Sequence, residues 1–292
     1  MRITDLLDAR SISLDCSPKT KQEALDTAVA LMVKSGKIND EEAYRRQVYA
    51  REEESTTGIG EGIAIPHGKC DAVTKPGLAA MVIKDGVDFD ALDGEPVTLL
   101  FLIAAPNTKD NVHLDVLSKL SVLMMDEDFS NGLRNAKSVE EFLKIIDKAD
   151  DEKPDIDERL EDTGAKEDSK VKILAVTSCP TGIAHTYMAA EGLEKAARAK
   201  GCFIKVETRG SGGAKNVLTA AEIEEADCII VAADAQVPMD RFDGKKLIEC
   251  QVSDGISKAD QLIDRAINGD APVYHAAAGS QTSSAGNKSG GS

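Results

Sequence analysis

Residues 171–200 read VKILAVTSCPTGIAHTYMAAEGLEKAARAK, and the fold of the C-terminal half turns on them. An apolar run, VKILAVTS, ends at Cys179, a turn holding Pro180 and Gly182 follows, and helix-forming residues continue to Lys200. A buried strand that feeds straight into a helix is the first unit of a βαβ series. The series continues through FIKVE (203–207), a short helix after Thr219, CIIVAA (228–233), KLIECQV (246–252) and a final helix. Residues 171–270 are therefore predicted to form an open, mainly parallel four-stranded βαβ domain with helices on both faces. In such sheets the reactive edge lies beyond the carboxyl ends of the strands.

Working outward, the stretch DKADDEKPDIDERLEDTGAKEDSK (147–170) holds almost no apolar residue, and its acids outnumber its bases about two to one. That composition predicts an acidic flexible linker over 148–170. On its far side, residues 1–147 form a mixed α/β domain. A Thr20-x-x-Glu23 capping box opens a helix with Leu25, Ala28, Val29 and Met32 on one face and Gly36 as its stop. A second helix is predicted from Asp40 to about Arg51, strands at 62–66, 78–84 and 97–104, and further helices from His113 and from Ser138. The last 22 residues, 271–292, are small and polar and read as a flexible tail.

Composition excludes several classes of function. The chain of 292 residues is 42% hydrophobic and 29% charged, ordinary values for two globular domains, with aromatics at 3%. A formal charge of −16 with no clustered Lys or Arg repels nucleic acid and anionic membrane surfaces. The start MRITDLLDAR has no signal-like apolar run, and no stretch approaches the length needed to cross a bilayer, so a cytoplasmic setting is expected. Six scattered cysteines without CxxC or CxxH spacing suggest neither a zinc site nor a disulfide scaffold, and no metal is expected. Cys202, Cys228 and Cys250 lie in or beside strand-like runs as small hydrophobes.

Cys179 has a different setting. At a strand end before a helix, the backbone amides of Thr181, Gly182, Ile183, Ala184, His185 and Thr186 can converge on one point and form an anion cradle. Those amides and the helix dipole favour a thiolate before reaction and a phosphorylated sulfur after it. A tyrosine-phosphatase loop also places Cys here but needs Arg six residues later, where this chain has His185. His185 either orients a phosphate or caps the first helical turn.

The first half carries a second candidate. In TTGIGEGIAIPHGK (56–69) a Gly-rich turn precedes an alternating strand that ends at Pro66-His67-Gly68. Pro restricts the backbone entering the site, and Gly leaves room for a large partner beside the imidazole. A neutral imidazole nitrogen can accept a phosphoryl group and surrender it again. His113 begins an amphipathic helix and either sits beside His67 or caps that helix. Arg51 either pairs with phosphate oxygens or with nearby surface acids.

Together the two motifs resemble the A and B domains of the fructose-specific enzyme II of the bacterial sugar phosphotransferase system. AREEESTTGIGEGIAIPHGK (50–69) is similar to the fructose, mannitol and nitrogen-regulatory A family, which implies phosphorylation of His67 with support from Arg51 and His113. VTSCPTGIAHTYMAAEGLE (176–194), VETRGSGG (206–213) and VPMDRF (237–242) are similar to fructose-type B segments, which implies phosphocysteine at Cys179. The resemblance further implies a phosphorylated histidine-containing carrier protein as donor. It implies a membrane C domain, not found in this sequence, presenting a fructose-like sugar as acceptor, and no cofactor. A regulatory phosphoprotein sensed by a partner is the alternative, and a phosphatase a weaker third.

Overall fold

The computed structural model describes residues 1–108, 114–152, 171–180 and 183–277. The N-terminal elements are α1 (Ile3–Leu6), β1 (Leu7–Cys16), α2 (Lys21–Val33), α3 (Glu41–Glu54), β2 (Gly58–Gly60), β3 (Ile63–Ala64), β4 (His67–Cys70), β5 (Gly77–Val87) and β6 (Val97–Pro106). Then come α4 (Leu114–Leu123), α5 (Glu127–Arg134) and α6 (Val139–Glu152). Six strands form one mixed sheet in the order β1-β5-β6-β3-β2, with β4 also lying against β6. The two central strands are apolar on both faces because both faces are covered. Ala79, Met81, Leu100 and Leu102 pack under α2 and α3, while Leu78, Ala80, Leu99 and Phe101 pack under α4, α5 and α6.

Thr20 caps α2 as its spacing predicts, with its hydroxyl accepting from Glu23 N at 3.1 Å, although the Glu23 carboxylate reaches back to Lys19 N at 2.7 Å. The strand expected at 62–66 is shorter and divided. Pro66 has no N–H for a ladder, so the chain pairs with β6 as Ile63–Ala64 and resumes pairing at His67. His67 thus opens a strand instead of closing one. The acidic segment also begins later than its composition suggests, since α6 runs to Glu152. Its acids are used: Arg2 pairs with Asp147 and Asp151, and Asp150 accepts from Ile3 N and pairs with Lys119.

The C-terminal domain contains β7 (Lys172–Ser178), α7 (His185–Ala199), β8 (Phe203–Gly210), β9 (Gly213–Lys215), α8 (Ala220–Glu225) and β10 (Cys228–Ala233). A 3-10 turn (Asp240–Phe242), β11 (Leu247–Cys250), α9 (Val252–Ser257) and α10 (Ala259–Ile267) complete it. Its sheet has five strands, not four, in the order β11-β10-β7-β8-β9. Four are parallel, and the short β9 folds back antiparallel on β8. From β7 the chain adds β8 on one side and later β10 on the other, so the winding reverses at β7, and Cys179 follows directly at its carboxyl end.

The final segment is also more ordered than predicted from 271 onward. Leu247 N donates to Pro272 O at 2.9 Å, Tyr274 N to Lys245 O at 2.8 Å and Gly244 N to Tyr274 O at 2.7 Å. Residues 272–274 thereby cover the open edge beside β11, an edge whose unpaired groups need partners whatever the composition of the covering segment. Val273 remains 46% exposed, so backbone pairing and not apolar burial holds it there.

Helices α7 and α9 meet at two glycines. A Cβ on Gly192 would lie 2.5 Å from the carbonyl oxygen of Gly255, a backbone atom that cannot rotate away. Gly192→Ala gains up to about 1 kcal/mol in helix propensity, but overpacking of this kind costs about 1–3 kcal/mol. A net loss of up to about 2 kcal/mol is expected in the unfolding transition of the C-terminal domain, measured in denaturant, and a more stable variant would contradict this packing.

Candidate active site at the domain interface

His67 is positioned by its two neighbours in sequence. Pro66 interrupts the ladder, and Gly68 passes so close under α3 that a Cβ there would sit 3.0 Å from Tyr44 Cε2 and 3.1 Å from Val48 Cγ2. Tyr44 is itself fixed, its hydroxyl donating to Ile103 O at 2.8 Å, and Ile103 is the register partner of His67 on β6. The imidazole Nδ1 lies 3.0 Å from the carbonyl oxygen of Ile65. A carbonyl can only accept, so Nδ1 carries the hydrogen, and the lone pair of the neutral ring is on Nε2. Burial and then the nearby Arg51 charge lower the ring's pKa from 6.5 to about 4, against the opposing pull of the Ile65 carbonyl. A ring that is neutral at physiological pH with its lone pair on Nε2 is a nucleophile.

Arg51 occupies the last turn of α3 and is not a surface ion pair. Its Nη1 donates to Ser55 O at 2.9 Å and Ser55 Oγ at 3.3 Å, and its Nη2 lies 3.5 Å from His185 Nδ1 in the other domain. The adjacent acid, Glu52, is committed elsewhere: it accepts from Thr57 N at 2.9 Å and Thr57 Oγ1 at 2.6 Å and pairs with Lys21 at 2.8 Å. That clamp fastens the Gly-rich turn to α3 and leaves the guanidinium for the site.

Cys179 is held from the C-terminal domain. Ser178 donates its hydroxyl to Arg209 O at 3.1 Å and accepts from Asp234 N at 3.1 Å, which fixes the strand end from both neighbouring strands. Thr186 Oγ1 donates to Cys179 Sγ at 3.1 Å. Ile183, Ala184 and Met188, at the start of α7, pack into the same apolar cluster as Leu117, Leu120 and Met124 of the N-terminal domain. The loop and helix start that carry Cys179 are thus laid against the domain that carries His67. His67 is 1% exposed, His185 3%, Cys179 4% and Arg51 7%, so all four are shielded from solvent, and His185 lies against both Arg51 and His67.

Five of the ten site residues identified in the sequence, and a sixth beside them, are brought together here: His67, Arg51, Cys179, His185 and Thr186, with Ala184 packed alongside. Ile183 contributes its side chain to the interface core. His113, Thr181 and Gly182 lie outside the described residues. The Thr186 hydroxyl adds a side-chain contact to an expected backbone role. Residues not singled out include Ser55, Tyr44 and Asp234, and also Glu207, which gives the VETRGSGG and VPMDRF segments a common anchor. This fully buried carboxylate accepts from Arg241 at 2.8 and 2.6 Å, Arg209 at 3.1 Å and Leu218 N at 2.9 Å. A Glu and an Arg in two separate motifs were the available signal. Among the described residues no group of three or more His, Cys, Asp or Glu side chains converges to hold a metal ion.

A buried, neutral imidazole in one domain and a cysteine just ahead of a helix in the other, on domains packed together, fit a two-domain phosphotransferase. Comparison with known proteins agrees. The family profile described as phosphoenolpyruvate-dependent sugar phosphotransferase system, EIIA 2, matches residues 5–149, and one described as PTS system, lactose/cellobiose specific IIB subunit, matches residues 174–265. The chain belongs to the sugar phosphotransferase system and joins an EIIA domain to an EIIB domain. It is 47% identical over 279 residues, 96% of its length, to the fructose-specific EIIABC component of Bacillus subtilis, and spans 44% of that relative. It is 41% identical over 144 residues to the fructose-specific EIIA component of Haloferax volcanii, covering 49% of this chain and 94% of that protein. It is 48% identical over 95 residues to the fructose-like EIIB component 2 of Escherichia coli K12, covering 32% of this chain and 90% of that protein.

The electrostatics yield a pH prediction. Burial, then His67 and Arg51, lower the pKa of His185 to about 3, as burial and Arg51 lower that of His67 to about 4. Between these values and 6.5 the unfolded or separated form binds protons that the docked form rejects, so acid weakens docking and neutral pH favours it. Imidazole NMR titration should give a His67 midpoint near 4 while the domains stay docked. A midpoint near 6.5 under docked conditions would contradict the buried, Arg51-facing placement.

Proposed function

We propose that this chain is a two-step phosphoryl relay that supplies a fructose-like sugar during uptake. His67 Nε2 attacks the phosphorus of a phosphorylated histidine-containing carrier protein, and the carrier's P–N bond breaks as the new one forms. The Cys179 thiolate then attacks that phosphorus, the bond to His67 breaks, and the lone pair returns to Nε2. Finally a sugar hydroxyl oxygen attacks, the S–P bond breaks, the hydroxyl proton is lost, and the thiolate is restored. The observation that carries this reading is the burial of His67 6.4 Å from the ring of His185, the first residue of the helix after Cys179, with Arg51 beside that ring.

Supporting roles follow from the same geometry. Arg51 offers guanidinium donors to phosphoryl oxygens, and the start of α7, with Ile183, Ala184, His185 and Thr186, supplies amides and a hydroxyl to the sulfur side. Thr181, Gly182 and His113 are assigned to the site on the family resemblance. Excluding water protects the group in transit and strengthens each charge interaction. The same burial hides His67 from any carrier, so the domains must part for loading and meet for transfer. Because both domains belong to one chain, the local concentration of one at the other stays high through both events.

No helix of the described residues is long and apolar enough to cross a membrane. The final acceptor is assigned, from the EIIABC relatives, to sugar held by a membrane C domain. Fructose-like sugars are favoured because the EIIABC component of Bacillus subtilis, the EIIA component of Haloferax volcanii and the EIIB component of Escherichia coli carry fructose in their names, although a further relative over 91% of the chain is named for 2-O-alpha-mannosyl-D-glycerate. A purely regulatory phosphoprotein is less supported, since it would have no use for the cysteine domain.

The test is phosphoryl mapping by mass spectrometry at neutral pH after incubation with the phosphorylated carrier. Cys179→Ser should retain label on His67 and lose the sulfur-bound label, and His67→Ala should lose both. Label persisting on Cys179 in His67→Ala would falsify the order of transfer.

A further inference from the structure

His185 belongs to the C-terminal domain, yet its hydrogen-bonding partner belongs to the N-terminal one. Arg51 Nη2 stands 3.5 Å from His185 Nδ1, 134 positions away in sequence. A guanidinium has donors only, so Nδ1 must be the acceptor, and a neutral ring with its lone pair on Nδ1 carries its hydrogen on Nε2. Burial beside Arg51 and His67 keeps the ring neutral. This tautomer is the reverse of the one at His67, where Nδ1 holds the hydrogen and Nε2 the lone pair.

The two rings lie with centroids 6.4 Å apart. The next residue after His185, Thr186, hydrogen-bonds the Cys179 sulfur. His185 is therefore flanked by the donor imidazole on one side and the holder of the acceptor thiolate on the other. It does not serve as the N-cap of its helix: that position is Ala184, and no side chain caps it.

We infer that His185 is an interdomain positioning residue for the transfer from His67 to Cys179, with Arg51 setting its tautomer so that Nε2–H is offered to the oxygens of the moving phosphoryl group. The inference rests on the relay reading above and adds to it. During the step the S–P bond forms as the N–P bond breaks, and His185 donates a hydrogen bond without exchanging its proton. The donor is correctly set only when the N-terminal domain is docked. A separated C-terminal domain leaves His185 without Arg51, so its contribution is specific to the interdomain step and is absent when the sulfur later discharges to sugar.

The full-length chain, labelled with 15N at histidine, tests this in two ways. Long-range 1H–15N correlation should show His185 as the Nε2–H form, and Arg51→Ala should shift it toward the other tautomer. An Nδ1–H form in the unaltered chain overturns the inference. In single-turnover quench experiments on chain loaded at His67, with the loading rate as internal reference, His185→Leu should slow transfer to Cys179 about 10- to 100-fold, the scale of losing one donor to a charged group. His185→Gln keeps an acceptor and a donor and should recover to within about threefold. Transfer in His185→Leu as fast as in the unaltered chain, or no recovery in a folded His185→Gln, overturns the inference. A chain that never labels at His67 refutes the relay instead, and the tautomer measurement still decides where the His185 hydrogen lies.

Discussion

The hydrogen bond from His67 Nδ1 to the carbonyl of Ile65 is the constraint around which the interface is organised. It decides which nitrogen holds the lone pair, and it exists because the chain turns at Pro66 and leaves the Ile65 carbonyl facing the ring two residues on. The turn in turn needs β4 to pair with β6 immediately after the proline, and it needs Gly68 to slip beneath Tyr44. Tyr44 is tied back to β6 through Ile103. Which ring nitrogen holds the lone pair is thus specified by backbone geometry, with the apolar sheet beneath as its foundation.

Burial supplies the second layer of control. Four polar side chains that would ordinarily be hydrated are brought into one water-poor region, and each has something specific to face. The cost of desolvating two imidazoles is limited because both are neutral, and the single guanidinium among them donates to the carbonyl and hydroxyl of Ser55. Neutrality is also what the proposed relay requires, since a protonated His67 has no lone pair to offer. Packing and reactivity therefore ask the same thing of the same ring.

Much of this was legible in the sequence because it is local. A strand, a cysteine and a helix start occupy consecutive residues, as do Pro66, His67 and Gly68, and local order needs no knowledge of the rest of the chain. What was hidden depends on distant partners. The acids of 147–152 read as linker until Arg2 and Lys119, from remote parts of the chain, claim three of them. The strand Leu7–Cys16 contains register shifts that blur its alternation, and β9 is only three residues long. The Arg51 guanidinium could not be assigned to His185 without the docking of two domains, and Glu207 gains its meaning only when Arg241 folds back onto it.

The edge-covering segment has a directional consequence. Residues 272–276 run alongside 247 back to 243, against the direction of β11, so the polypeptide departs from the amino ends of the parallel strands. Cys179 stands at their carboxyl ends. The sulfur and the outgoing chain are therefore at opposite poles of the sheet, about 23 Å apart for a seven-residue strand. Anything joined through that outgoing chain meets the thiol only if the leash doubles back along the flank of the domain, or if the domain turns over on it.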